Sequence, residues 1–298
     1  MKLTKRVMIV PVASLLLLSG CASRVSQFKT FGETGAKYVD TMNKLLGASG
    51  EVSIDASSAL LINQRSNAII GDAGKAYEEL KESDKLMDNR LQILNDIAEH
   101  NQQLKLYFKA LAGLAGSNAG TEIATGTKSI VDELSKLNPK ISKATLGEAP
   151  IGSLVGPATE LVVASFQQAA LERELKTNAK TIERELALQV AAMQAVATIW
   201  KSDQKIIIAG NKKINQEQFL KDNALPRNWA ANRKAVLTAS TSAELADSAS
   251  EAARKLKEAF EILVSKGDKE KVENIPLIVN DLNKVLDLIE LVKKGPSA

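Results

Sequence analysis

The sequence predicts an all-α protein, an elongated up-and-down bundle of long helices with coiled-coil-like packing. Three observations carry that expectation. Apolar residues recur at steps of three, four and seven through two runs of about 60 residues, the spacing that lines one face of a helix. The chain is 45% hydrophobic but only 4% aromatic, and its aliphatic residues are accompanied by Ala, Glu, Lys and Gln, which favour helix over sheet. Pro226, Gly267 and Pro276 fall where apolar runs end, as helix punctuation should.

The first run extends from about Ile54 to Ala115, with Ile62, Leu80, Leu91, Leu94, Leu104, Phe108 and Leu111 in one seam, and predicts one long amphipathic helix. Ser66, Asp84 and Asn101 interrupt that seam and read as register-fixing polar positions, while Gly71 and Gly74, with Gly210 in the second run, weaken the helices and read as places for a break or kink. The second run, about Ala158 to Phe219, carries Leu171, Leu175, Ile182, Leu186, Met193, Trp200 and Ile207 in step, and its matched length predicts an antiparallel pair. Pro226 ends it, because proline lacks an amide hydrogen and restricts the residue before it. A third helix follows over about Asn228 to Ser265, and a fourth opens at Pro276 with Ile278, Leu282, Val285, Ile289 and Val292 at alternating four and three spacing.

Between the two long runs, residues 110–166 are rich in Gly and Ala, with a short helix near Ser129 to Leu137. They read as the tip of a helical hairpin, either a tightly packed cap or an apolar surface that touches a membrane or a partner's groove. Residues 21–50 hold Gly32, Gly35, Gly47 and Gly50 among polar residues and read as a spacer with one short helix near Ala36 to Leu46. Residues 51–298 then form the bundle.

The N-terminus, MKLTKRVMIVPVASLLLLSGCAS, sets Lys2, Lys5 and Arg6 ahead of an apolar run from Val7 to Leu18. That is the layout of a secretory signal peptide. As a helix the apolar run spans about 18 Å, short of the roughly 30 Å of a bilayer core. Leu18-Ser19-Gly20-Cys21 resembles the lipobox of bacterial lipoproteins. The resemblance covers this leader alone and implies removal of residues 1–20 and acylation of Cys21, the only cysteine of the chain. Two or three acyl chains hold a protein stably on a membrane without spanning it. Ala22 and Ser23 follow, without the aspartate that retains such proteins in the inner membrane, so the resemblance implies the periplasmic leaflet of the outer membrane. In a Gram-positive source it implies the outer face of the plasma membrane.

Loss of the leader also removes three of the four excess positive charges, leaving 36 basic and 35 acidic residues. Nucleic-acid binding thereby loses its usual electrostatic support. One His and one Cys supply no structural zinc site. No P-loop, GxSxG elbow, HExxH or GxGxxG occurs, and neither a metal nor a cofactor is expected. His100 reads as a seam or surface residue. Glu-Arg-Glu-Leu recurs at 172–175 and 183–186, predicting Leu175 and Leu186 inward and the charges outward. Trp200 and Trp229 read as core aromatics or interface anchors.

The expected function is a non-catalytic, lipid-anchored scaffold or interaction module of the cell envelope, with an envelope protein as partner and self-association open. Two alternatives stand beside it: an inhibitor or immunity lipoprotein that captures a toxin or hydrolase, and a membrane-active helical protein.

Overall fold

The predicted helical seams are present in a computed structural model that describes residues 16–67, 73–116, 121–157, 161–166, 168–221, 225, 227, 229–266 and 273–294. The two long runs are not each other's main antiparallel partner, however: 73–116 packs chiefly on 16–67, and 169–221 on 229–264. Its helices are α1 (Leu16–Asn67), α2 (Ala73–Gly116), α3 (Thr121–Lys143), α4 (Ala169–Lys221), α5 (Trp229–Val264) and α6 (Ile275–Lys294), with a 3₁₀ turn at Ile151–Leu154. All-α architecture is therefore observed. At 1.5 Å per residue, the 52 residues of α1 make a rod of about 78 Å.

The first apolar run is two helices rather than one. Residues 54–67 finish α1, and α2 begins at Ala73 with Gly74 in its first turn, where glycine weakens a helix by about 1 kcal/mol relative to Ala. Residues 68–72 lie outside the described residues. Returning antiparallel lets the two seams bury each other. Asn101 donates to Asn43, Ser57 meets Ser83, and Lys105 pairs with Asp40. Of the polar seam positions, Asn101 is buried in this way and Asp84 is exposed.

The segment read as a spacer, 21–50, is instead continuous helix and central core. Phe28, Phe31, Tyr38, Val39 and Met42 are fully buried. Two of its glycines are close-approach positions rather than flexible joints: a Cβ on Gly32 would lie 2.5 Å from the Phe108 carbonyl oxygen, and one on Gly35 would lie 2.6 Å from the Phe108 ring. One stretch within 24–64 is apolar and long enough to cross a membrane, with mean hydropathy 1.3. In the bundle 39% of that apolar window is buried, while Ile54, Leu60 and Ile62 of the stretch remain exposed.

Residues 110–166 do not form a hairpin cap. They finish α2, make all of α3, and then run as an extended strap through the 3₁₀ turn to α4. The strap is held by Ile151 N to Ala144 O (2.9 Å), Ala164 N to Val264 O (2.9 Å) and Lys266 N to Val162 O (2.7 Å). Gly147, at φ +94°, turns the chain between Thr145 and Pro150. Along this strap Gly156 is exposed and Val163 is half-buried in a bridge to Ser265. The second run begins as helix only at Ala169, where Glu172 accepts from Lys176 and from the Phe166 amide. Those two bonds, the lysine's first, hold its carboxyl below the ordinary carboxylate range.

Helices α4 and α5 form a second antiparallel hairpin, marked by Lys201–Asp247 and Lys257–Glu183 pairs. The two hairpins then stand side by side in the same sense. Gln189 donates to Tyr38 (3.1 Å), Ser53 donates to Asp203, and Ala59 lies against Gly210. Hydrogen-bonded partners along α1 and α4 are 151 and 150 residues apart.

That near-constant offset relates the whole chain to itself. Contacts α1·α2, α2·α3 and α3·α4 have the counterparts α4·α5, α5·α6 and α6·α1, and α1·α5 mirrors α4·α2. Buried positions match as well. Phe31 and Ile182, Met42 and Met193, and Leu45 and Val196 correspond on α1 and α4. So do Leu104 and Leu256 with Phe108 and Phe260 on α2 and α5, and Leu134 and Leu282 with Ile141 and Ile289 on α3 and α6. Among the described residues, the fold is two three-helix units related by an approximate two-fold axis between α1 and α4.

Candidate docking site at the hairpin tips

The buried carboxylates inside the bundle are paired with donors rather than gathered at a cleft. Glu185 is fully buried, with His100 Nε2 3.1 Å from its Oε2, Asn138 donating at 2.8 Å and Arg184 3.4 Å from its Oε1. Glu174 accepts from Thr127 (2.7 Å) and Asn178 (2.9 Å). Glu183 meets Lys257 at 3.3 Å, and Asp203 accepts from Ser53 and Arg90. Burial works against the Lys257 ammonium, but its bonds to Glu261 and Glu183 outweigh it and raise its pKa above the ordinary lysine value.

These contacts correct the reading of the repeated Glu-Arg-Glu-Leu. Leu175 and Leu186 do point inward, yet Glu174, Glu183 and Glu185 are buried with them. Each carboxylate is stabilised by donors from helices distant in sequence, the condition for burying a charge. His100 is a seam residue, buried in this network.

Two phenols complete the interior. The Tyr38 hydroxyl is buried against Gln189, and burial pushes its pKa far up. The Tyr107 hydroxyl is raised by burial first and by the adjacent Glu174 carboxylate second, and it has no hydrogen-bond partner of good geometry. Among the described residues, no group of three or more His, Cys, Asp or Glu is placed to share a metal ion.

The surface presents a different chemistry at each end. Leu18, Ser19, Gly20 and Cys21 fall in the first turns of α1. The C-terminus of α2 shares that end, since Lys29 touches Gly116, and so does the end of the strap, where Phe28 and Phe166 meet edge to face. At the opposite end α3 and α6 are absent, and only the two hairpins continue. There the exposed large apolar side chains concentrate: Ile54, Ile62, Tyr77 and Leu80 on the first hairpin, Phe219, Leu220 and Leu237 on the second. Residues predicted for the α2 seam, such as Leu80, are exposed because no further helix covers this end.

On the second hairpin these residues border a cleft of about 1000 Å³ between the end of α4 and the start of α5, lined by Ile208, Phe219, Trp229 and Val236 with Lys212 and Arg233 at its edge. Phe219 stacks on Trp229 with centroids 5.7 Å apart, and the Arg233 guanidinium lies over the indole at 6.0 Å. A cleft of this volume and apolar character has the size of a ligand pocket. Trp200 is a core aromatic, whereas Trp229 is only half-buried and belongs to this tip. The sequence did carry a signal for the site, a concentration of lysine and arginine on both sides of Pro226. The sequence matches no protein-family model, no curated protein and no solved structure.

Proposed function

We propose that this chain is a lipid-anchored, non-catalytic helical scaffold of the cell envelope, attached through acylated Cys21 and docking its partner with the hairpin tips. In a Gram-negative cell the anchor belongs to the periplasmic leaflet of the outer membrane. The observation that carries the reading is the separation of chemistries along α1. The lipobox opens the helix, the exposed apolar side chains gather at its far end, and about 70 Å of helix lies between Cys21 and Asn67. Exposed apolar surface concentrated in this way marks an interaction site rather than ordinary surface composition.

The test has two parts. Replacement of Cys21 by Ser moves the protein from the membrane fraction to the soluble fraction and abolishes incorporation of labelled acyl chains. Photo-cross-linkers at Tyr77 and Leu220, compared with Leu277 and Leu106, which are exposed elsewhere on the bundle, trap an envelope component from the tips only. Equal trapping at all four positions, or none, refutes docking by the tips.

A further inference from the structure

We propose that the tip of the second hairpin engages an anionic phospholipid surface, with Trp229, Phe219 and Leu220 entering the interface and Lys212 and Arg233 holding the headgroup phosphates. The proposal rests on docking by the tips and names what one of them docks. Charge decides between occupants. Residues 205–240 carry seven basic residues against two acidic ones, whereas the equivalent tip of the first hairpin, residues 54–90, carries seven acidic against five basic. The excess is local to one tip of a mature chain whose net charge is close to neutral.

Side-chain type points the same way. Phe219 and Leu220 are exposed at the last turn of α4, and Trp229 opens α5 across the turn. Aromatic and leucine side chains at two adjacent helix ends, with exposed Lys212, Arg227, Arg233 and Lys234 on the same segments, match the headgroup region of a bilayer, where indoles and long cations both partition. The cleft of about 1000 Å³ behind Phe219 and Trp229 is open to the surface and mostly apolar, so it accepts an acyl chain whose phosphate meets Lys212 and Arg233 at the edge. The chain's own leader is a poor occupant, because Lys2, Lys5 and Arg6 carry the same sign of charge as that edge and residues 16–20 open α1 at its opposite end.

Trp229 reports on the event directly. The full chain carrying Cys21→Ser is mixed with vesicles of phosphatidylglycerol, or of phosphatidylcholine alone, with brominated acyl chains in either as quencher. A companion Trp229→Phe chain supplies the signal of buried Trp200. The expected result is a blue shift and bromine quenching of Trp229 with phosphatidylglycerol, weakened by salt and absent with phosphatidylcholine.

Lys212→Gln with Arg233→Gln removes two interfacial charges, each contributing about 1 kcal/mol near an anionic surface, and weakens partitioning about 30-fold. Both positions are exposed, so unchanged helicity shows that the fold is intact. Quenching that is equal in the two lipids, or absent in both, overturns the proposal. If tip cross-linkers still trap an acidic protein while Trp229 stays unquenched, docking by the tips stands and the lipid assignment falls.

Discussion

Gly32 and Gly47 lie on the same helix, yet the same substitution at each is expected to shift stability in opposite directions. At Gly32, a Cβ would stand 2.5 Å from the Phe108 carbonyl oxygen, 2.8 Å from the Ala112 Cβ and 2.9 Å from the Ala112 nitrogen. Two of these three atoms are backbone, so no rotamer change relieves the overlap and α1 must move away from α2. Overpacking of this kind costs about 3 kcal/mol at the upper end of its usual range, and alanine's better helix propensity offsets about 1 kcal/mol. Gly32→Ala should therefore destabilise by about 2 kcal/mol. Gly47 is exposed with nothing within 4 Å of a built Cβ, so Gly47→Ala keeps only the propensity gain and stabilises by about 0.5–1 kcal/mol. Urea denaturation followed by circular dichroism at 222 nm reads both. With an m-value of about 3 kcal/mol/M, the two midpoints should separate by about 1 M on opposite sides of the wild type. Shifts of the same sign would refute the close crossing of α1 and α2.

Three further outcomes follow from the interior. His100→Leu and Glu185→Leu should each destabilise by about 3 kcal/mol, while the double replacement loses much less than their sum, giving a coupling of about 1–3 kcal/mol in a denaturation cycle. Purely additive losses would show that the pair does not interact. Tyr38 and Tyr107 keep their protons in the folded state at pH values where an unfolded chain releases them, so stability should be full below pH 10 and fall above it, up to tenfold in folding constant per pH unit for each phenol. Tyr38→Phe and Tyr107→Phe should each flatten that alkaline slope in urea midpoints measured from pH 9 to 11, and an unchanged slope would contradict the burial. Gly147→Ala should destabilise by about 1 kcal/mol through its positive φ alone, since the nearest atom to its Cβ is an Ile199 carbon at an ordinary 3.7 Å; a neutral effect in the same assay would refute the strained turn.

The helical class, the seam residues and the end of α4 before α5 were legible because each is written locally, as spacing or as a missing amide hydrogen. The role of residues 24–50 was not. Gly32 and Gly35 read as flexibility until the partner helix, about 75 residues away, shows that they permit contact. Burial of Glu174, Glu183 and Glu185 was equally hidden, because Thr127, Lys257 and Asn138 reach them from other helices and a one-dimensional pattern of charges resembles a solvated face. The two readings of residues 110–166, packed cap or exposed apolar tip, could not be separated for a related reason. Residues 110–166 have the composition of an exposed apolar tip, but α3 and the strap spend it on the core, with Leu134, Ile141 and Ile151 buried. The basic residues flanking Pro226 were visible, and only the packing shows that Phe219 and Trp229 stand among them at a protruding end.

The approximate two-fold relation between the halves also explains which residues the centre of the molecule is able to use. In a true dimer of identical three-helix units, a side chain on the symmetry axis meets its own copy, so tyrosine faces tyrosine and carboxylate faces carboxylate. Joining the units in one chain lifts that restriction. Tyr38 accepts from Gln189, and Ser53 and Arg90 of one half both donate to Asp203 of the other. Glu185 occupies the place that Thr34 holds in the first half, and Ala252 takes the place of His100. Covalent fusion thus converts self-facing positions into donor–acceptor pairs. It fixes the register of α1 against α4 by hydrogen bonds that no symmetric assembly of either half could make.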